Sequence, residues 1–115
     1  MRACSRGDVL EINLDPSVGR EYMKTRPCLV VQSDLINRHS ETAIVAPITG
    51  AENVKSVGPT YVRIAKGEAG LPKESLIVCH QLRTVDESRF GRIYGQVKPE
   101  TMQLVEQAIR IVLEL

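Results

Sequence analysis

Apolar and polar residues alternate in short segments of the chain up to about residue 97. In DVLEINL (8–14), Leu10, Ile12 and Leu14 alternate with Glu11 and Asn13, which is the period of a half-buried β-strand. The same kind of pattern predicts strands over residues 27–33, 42–49, 60–66, 75–82 and 91–97. Turn-rich connections are predicted at 15–25, 50–59 and 67–74, a single helical turn at 34–40 and a short turn within 83–90.

The C-terminal segment PETMQLVEQAIRIVLEL has a helical period instead. Its apolar residues between 105 and 112 recur at helical spacing, and Pro99 suits the first position of a helix over 99–115. Ile111 and Leu115 widen the apolar side, which suggests contact with a second subunit. Five or six short strands and one terminal helix predict a mainly-β fold with a C-terminal helix. We expect one domain, 1–115, built as a compact β-barrel or a coiled sheet.

Composition and charge narrow the function classes. The net charge is +1 over 115 residues, so the chain is not a generally basic nucleic-acid coat, and any contact with RNA or DNA must be local. The three cysteines form no CxxC pair, which argues against a disulfide framework or a zinc site and favours the reducing cytoplasm. No signal peptide, membrane-length apolar segment or nucleotide-binding glycine motif is present, so we expect neither cofactor, metal nor membrane.

Polar residues stand at the ends of several predicted strands. Arg26 opens the second strand, Thr49 closes the third, and Gln81, Arg83 and Thr84 follow the strand 75–82. If these ends meet at one rim, the arginine offers a planar fork for phosphate oxygens and the threonine a hydroxyl. An arginine beside a strand is more often a solvated edge residue, so residue type alone leaves both explanations open.

The order of several motifs resembles one known family. The segments are RGDVLEINLDPSVGRE (6–21), TRPCLVVQSDLIN (25–37), IVAPIT (44–49) and GLPKESLIVCHQLRTVDESR (70–89), followed by the C-terminal helix. Together they resemble the MazF/PemK toxin endoribonucleases, the mRNA interferases of bacterial toxin–antitoxin pairs. The resemblance implies an SH3-like barrel that works as a homodimer and a cognate antitoxin whose acidic extended segment blocks the RNA groove.

The resemblance also implies an activity and its residues. Family members cut single-stranded RNA at short preferred sequences without ribosome or metal, and leave a 2′,3′-cyclic phosphate and a 5′-hydroxyl. By position, the catalytic residues are Arg26 and Thr49, with Glu21 as an acidic residue that affects activity. The RNA-binding candidates are Lys24, Gln81, Arg83 and Thr84.

The group that takes the proton of the ribose 2′-hydroxyl is not identified by the resemblance. Arg26 is a poor base because its guanidinium stays protonated, which leaves Glu21 as a weak candidate. His39 and His80 match no catalytic position of the family, and we treat both as structural or surface residues at this point.

Two other functions remain open. The CcdB toxins share the implied fold but poison DNA gyrase, and a non-catalytic barrel that binds RNA or a peptide would keep the fold without cutting. Tyr22 and Met23 in the first loop, and Glu52 and Lys55 in the loop 50–59, differ from many relatives. These differences bear on the preferred RNA sequence and on the fit of the antitoxin, neither of which the sequence specifies.

Overall fold

The computed structural model describes residues 4–115. It contains seven strands: β1 Asp8–Asn13, β2 Thr25–Val30, β3 Thr42–Gly50, β4 Tyr61–Ile64, β5 Ser75–Val78, β6 Arg83–Asp86 and β7 Phe90–Gln96. Helix α1 is a single turn, Asp34–Asn37, and helix α2 spans Pro99–Leu113. Short 3₁₀ turns at Ala51–Asn53, Glu68–Gly70, Cys79–Gln81 and Glu87–Arg89 join the strands.

The strands form one bent antiparallel sheet. Its order is β4-β5-β3-β2-β1-β7, and β6 pairs with the first half of β3. The mainly-β fold with a C-terminal helix is therefore confirmed. The sheet does not close into a complete barrel over residues 4–115, because no ladder joins β4 to β7.

Two apolar clusters cover the two faces of the central strands. Leu29 and Ile48 point into the cluster that also receives Val105 from α2, whereas Ile12 and Val45 point into the opposite cluster. Successive side chains of a strand alternate between faces, so β2 and β3 are buried on both sides. Burial of this kind stabilises the strands that carry the predicted Arg26 and Thr49.

The sequence analysis missed one strand and extended another too far. The short turn predicted within 83–90 is present as the 3₁₀ turn Glu87–Arg89, but residues 83–86 form strand β6, in which Val85 is buried and pairs with Ala43 in β3. The predicted strand 75–82 ends at Val78, and the chain continues as a 3₁₀ turn, Cys79–Gln81. Because of this turn, the side chains of His80 and Gln81 do not continue the extended path of β5.

Candidate active site

Arg26 lies in β2 with its guanidinium held in place by three contacts. Its Nε donates to the Met23 carbonyl at 3.1 Å, and its Nη1 lies 3.5 Å from the Ile48 carbonyl oxygen. The guanidinium also stacks 4.8 Å from the centre of the Tyr22 ring, a favourable cation–π geometry. Arg26 is therefore a positioned, half-buried cation and not a freely solvated edge residue.

Thr49 lies near the end of β3, beside Arg26. Cys28 pairs with Pro47 across β2 and β3, and the Arg26 guanidinium reaches the carbonyl of Ile48, the residue before Thr49. Thr49 is only 5% exposed, and its Oγ1 accepts a hydrogen bond from Asn53 Nδ2 at 3.1 Å. Because that amide nitrogen only donates, the Thr49 hydroxyl proton is left for another acceptor.

The loop between β1 and β2 is fastened by side chains from the far part of the chain. Gln81 Oε1 accepts from the Tyr22 backbone N–H at 3.0 Å, and Gln81 Nε2 donates to the Arg20 carbonyl at 3.1 Å. Arg83 Nη1 donates to the Leu14 carbonyl at 3.0 Å. In this conformation Gln81 and Arg83 use these groups to position the loop.

The loop also supplies its own internal contacts. Glu21 Oε1 accepts from the Val18 N–H at 2.8 Å. Lys24 has a φ of +66°, and its carbonyl accepts from the Leu14 N–H at 2.9 Å, which closes the loop. The Lys24 side chain is exposed.

An open surface pocket of about 460 Å³ adjoins Arg26. The structure brings three predicted site residues together in its lining, namely Glu21, Arg26 and Gln81. Arg83 lines a neighbouring pocket below the same loop. Lys24, Thr49 and Thr84 are not in the lining of either pocket, and Thr84 lies exposed in β6 opposite Ile44.

The pocket contains residues that the sequence analysis did not assign to the site. Tyr22, Tyr61 and His80 line it together with Arg26, and Asn53 contacts Thr49 behind it. Asn53 lies four residues after Thr49, a spacing that a tight turn brings together. No comparable signal in the sequence identifies Tyr61 or His80, because β4 and the turn after β5 meet only in the folded chain.

The described residues do not suggest a metal centre. Residues 4–115 contain no group of three histidine, cysteine or acidic side chains placed to hold a metal ion. Burial raises the pKa of the Cys28 and Cys79 thiols to about 12, which disfavours the thiolate that metals and electrophiles require. In the same part of the chain, no helix has the length and apolar character needed to cross a membrane.

Comparison with known families identifies the chain. The family model for the PemK-like, MazF-like toxins of type II toxin–antitoxin systems matches residues 5–113. The chain belongs to this family. Endoribonuclease EndoA of Bacillus subtilis is 42% identical over 110 residues, which cover 96% of this chain and 94% of that protein. Endoribonuclease MazF of Staphylococcus saprophyticus is 39% identical over 110 residues, with 96% and 91% covered.

Solved structures support the same fold. A mycobacterial endoribonuclease in complex with its cognate antitoxin superposes with a TM-score of 0.80 at 23% identity, covering 98% of this chain and 97% of that one. MazF of Deinococcus radiodurans gives a TM-score of 0.80 at 19% identity, with 97% of both chains covered. The family model and the two curated relatives confirm the family resemblance over nearly the whole chain, and the solved structures confirm the fold.

Proposed function

We propose that the protein is the toxin of a toxin–antitoxin pair and acts as an endoribonuclease on single-stranded RNA. The observation that carries the proposal is the fixed guanidinium of Arg26 at the carbonyl of Ile48, the residue before Thr49, in a chain whose relatives at about 40% identity are named endoribonucleases. Cleavage of mRNA at short preferred sequences, independent of ribosome and metal, inhibits translation and growth. The 115 residues act as one toxin domain.

The proposed chemistry is attack by a ribose 2′-hydroxyl on the adjacent phosphorus. Negative charge grows on the phosphate oxygens during this step, and a fixed guanidinium stabilises it without having to reorganise. Thr49, whose hydroxyl proton is available, donates to one phosphate oxygen. The products are a 2′,3′-cyclic phosphate and a 5′-hydroxyl. Because the attacking group is the 2′-hydroxyl, DNA is not cut.

The first experiment incubates purified protein with a long single-stranded RNA in EDTA. We expect fragments with 5′-hydroxyl ends from the wild type and a loss of about 10²–10³-fold for Arg26→Ala. Arg26→Lys keeps the charge but loses the planar fork, so its activity should be intermediate. Arg92→Ala is the matched control, since Arg92 lies in β7 and stacks on Tyr94, outside the pocket.

The other outcomes separate the alternative functions. Intact RNA with the wild-type protein, together with gyrase trapped on DNA, would favour the gyrase poison. Intact RNA that is bound with salt-dependent affinity would favour a non-catalytic RNA-binding module. Equal cutting by the wild type and Arg26→Ala would remove Arg26 from the active site.

A cognate antitoxin is the expected protein partner. A structural neighbour of this chain is described as an endoribonuclease in complex with its cognate antitoxin. We propose that an extended acidic segment of the antitoxin occupies the groove at Arg26 and competes with RNA through the same positive charges. Both partners and the RNA meet in the cytoplasm, which is the proposed location. Restored RNA integrity on adding the antitoxin tests this proposal.

A homodimer is the proposed assembly. An apolar groove of about 500 Å³ is lined by residues of α1, β3 and the end of α2, among them Ile36, Ile44 and Leu113. These side chains are 49%, 38% and 55% exposed, so a large apolar area faces solvent in the isolated chain. A second copy covering the same surface would bury it symmetrically.

The dimer is tested by light scattering coupled to size-exclusion chromatography. We expect a dimer mass for the wild type and a monomer mass for Leu113→Asp, which places a charge in the apolar groove. Val57→Asp is the control, because Val57 is 45% exposed and lies outside the groove. A monomer mass for the wild type at micromolar concentration would contradict the proposal.

A further inference from the structure

The acceptor of the 2′-proton is the missing part of the proposed reaction. Arg26 remains protonated at neutral pH. Glu21, the candidate from the sequence, is exposed and its Oε1 already accepts from the Val18 N–H at 2.8 Å. Tyr22 is held protonated, because burial is the main cause that raises the pKa of its phenol. None of these three groups is well suited to accept a proton beside the phosphate.

His80 lies in the same pocket as Arg26. It follows β5 in the 3₁₀ turn Cys79–Gln81, and the change of direction there leaves its side chain exposed in the pocket lining. Among the ionisable residue types, histidine is the one that gains and loses a proton most readily near neutral pH. It is also the commonest general base in enzymes.

Two neighbours fix the orientation of the His80 ring. Its Nδ1 lies 2.9 Å from Thr60 Oγ1, within hydrogen-bond distance. The ring also packs edge-on against Tyr61, with the centroids 5.1 Å apart and the planes at 81°. Nε2 has no hydrogen-bond partner among residues 4–115. This arrangement resembles the general pattern in which one imidazole nitrogen is oriented by a hydrogen bond and the other acts on the substrate.

We propose that His80 Nε2 is the general base that takes the proton from the ribose 2′-hydroxyl. The inference rests on the proposed endoribonuclease function. As the proton moves to His80, the 2′-oxygen forms a bond to phosphorus and the bond from phosphorus to the 5′-oxygen breaks. The leaving 5′-oxygen takes up a proton from water, and the imidazolium then releases its proton to solvent. Arg26 holds the phosphate during this exchange.

The titratable and charged groups that line the pocket with His80 come from the β1–β2 loop, β2 and β4, and they are Arg20, Glu21, Tyr22, Arg26 and Tyr61. The rate of cleavage should rise with pH in the acid range, because a general base acts only in its unprotonated form.

The decisive experiment measures single-turnover cleavage of a labelled single-stranded RNA in EDTA from pH 5 to 9. For His80→Gln we expect the cleavage rate at pH 8 to fall by about 10²–10⁴-fold. The decrease in rate towards acid pH that the wild type shows should be absent in this variant. His39→Gln is the matched control, because His39 lies after α1 and outside the pocket. Its pH profile should equal that of the wild type.

Two further measurements distinguish a base from a structural residue. Added imidazole should restore part of the activity of His80→Ala but none of the activity of Arg26→Ala. Affinity for an RNA with 2′-deoxy substitution at the cleaved position, which cannot react, should be nearly unchanged in His80→Gln. Together they exclude misfolding and loss of RNA binding as the cause of lost activity.

The outcomes for His80 and for the proposed function are separable. If the wild type cuts RNA and His80→Gln keeps both its rate and its pH profile, the role of His80 is wrong and the endoribonuclease function stands. If the wild type cuts no RNA at any pH, the endoribonuclease function is wrong, and the role of His80 with it.

Discussion

Gln81 is expected to act on the β1–β2 loop, and this expectation can be measured. Its side-chain amide spans two backbone groups of the loop, accepting from the Tyr22 N–H and donating to the Arg20 carbonyl. Gln81→Met removes both hydrogen bonds while keeping a side chain of similar length. We expect the loop to open more often in this variant, and the ring of Tyr22 to lose its fixed position over Arg26.

The magnitude follows from the two hydrogen bonds. One intramolecular hydrogen bond contributes about 0.5–1.5 kcal/mol net. The bond to Arg20 is exposed, whereas the bond to Tyr22 is partly buried, so we take the lower half of the combined range. A loss of about 1–2 kcal/mol corresponds to loop opening that is about 5–30 times more frequent.

The assay is amide hydrogen exchange followed by NMR. The Tyr22 amide should exchange about 5–30 times faster in Gln81→Met, whereas the Leu29 amide in the buried strand β2 should be unaffected. Arg92→Ala serves again as the control variant, because Arg92 is exposed, stacks on Tyr94 and lies outside the pocket. Cleavage of a labelled RNA is measured on the same samples.

Two results would refute the reasoning in different ways. Unchanged protection of the Tyr22 amide in Gln81→Met would show that the two hydrogen bonds do not hold the loop. Lost cleavage with unchanged protection would show that Gln81 acts on the RNA directly, as the family resemblance implied.

Three further predictions follow from the described contacts. Asn53→Ala should lower cleavage about fivefold, because the Thr49 hydroxyl loses the donor that orients it, one hydrogen bond of about 1 kcal/mol. Gly70→Ala should lower the melting temperature by about 10 °C or more, because its φ is +73° and an added Cβ would lie 2.2 Å from the Tyr94 carbonyl oxygen. The buried Cys28 thiol, with a pKa raised to about 12, should react with a thiol reagent at pH 8 only after unfolding.

A control variant or a contradicting result can be stated for each of these predictions. Gly58→Ala should leave the melting temperature unchanged, because no atom lies within 4 Å of an added Cβ there. Wild-type cleavage by Asn53→Ala would mean that the Thr49 hydroxyl needs no orienting donor. Rapid thiol labelling of the native protein by mass spectrometry, located at Cys28, would contradict the burial of that side chain.

The sequence predicted those strands in which apolar and polar residues alternate within the strand itself. In β1 and the residue that follows it, the alternation of Leu10, Ile12 and Leu14 is a local signal, and these side chains are buried as predicted. Strand β6 has only Val85 as an apolar anchor, and its stability comes from pairing with β3. Such pairing between distant segments leaves little trace in the local pattern of residues.

In the candidate site, too, some residues could be predicted from local motifs, whereas others depend on contacts between distant segments. Arg26 and Thr49 belong to motifs that lie within single strands, and the pairing of β2 with β3 brings those strands side by side. The two hydrogen bonds between Gln81 and the loop depend on one backbone N–H and one backbone carbonyl about sixty residues away, which carry no residue signature. The pairing of His80 with Tyr61 depends likewise on how β4 meets the turn after β5.

The hydrogen bonds that fasten the β1–β2 loop have a consequence for how such toxins diversify. Gln81 and Arg83 bind main-chain atoms of the loop, which every residue type supplies. The exposed side chains of Val18, Arg20 and Met23 can therefore be exchanged while the loop keeps its path. Under the proposed function, selection can alter the side chains at these positions without disturbing Arg26 in β2.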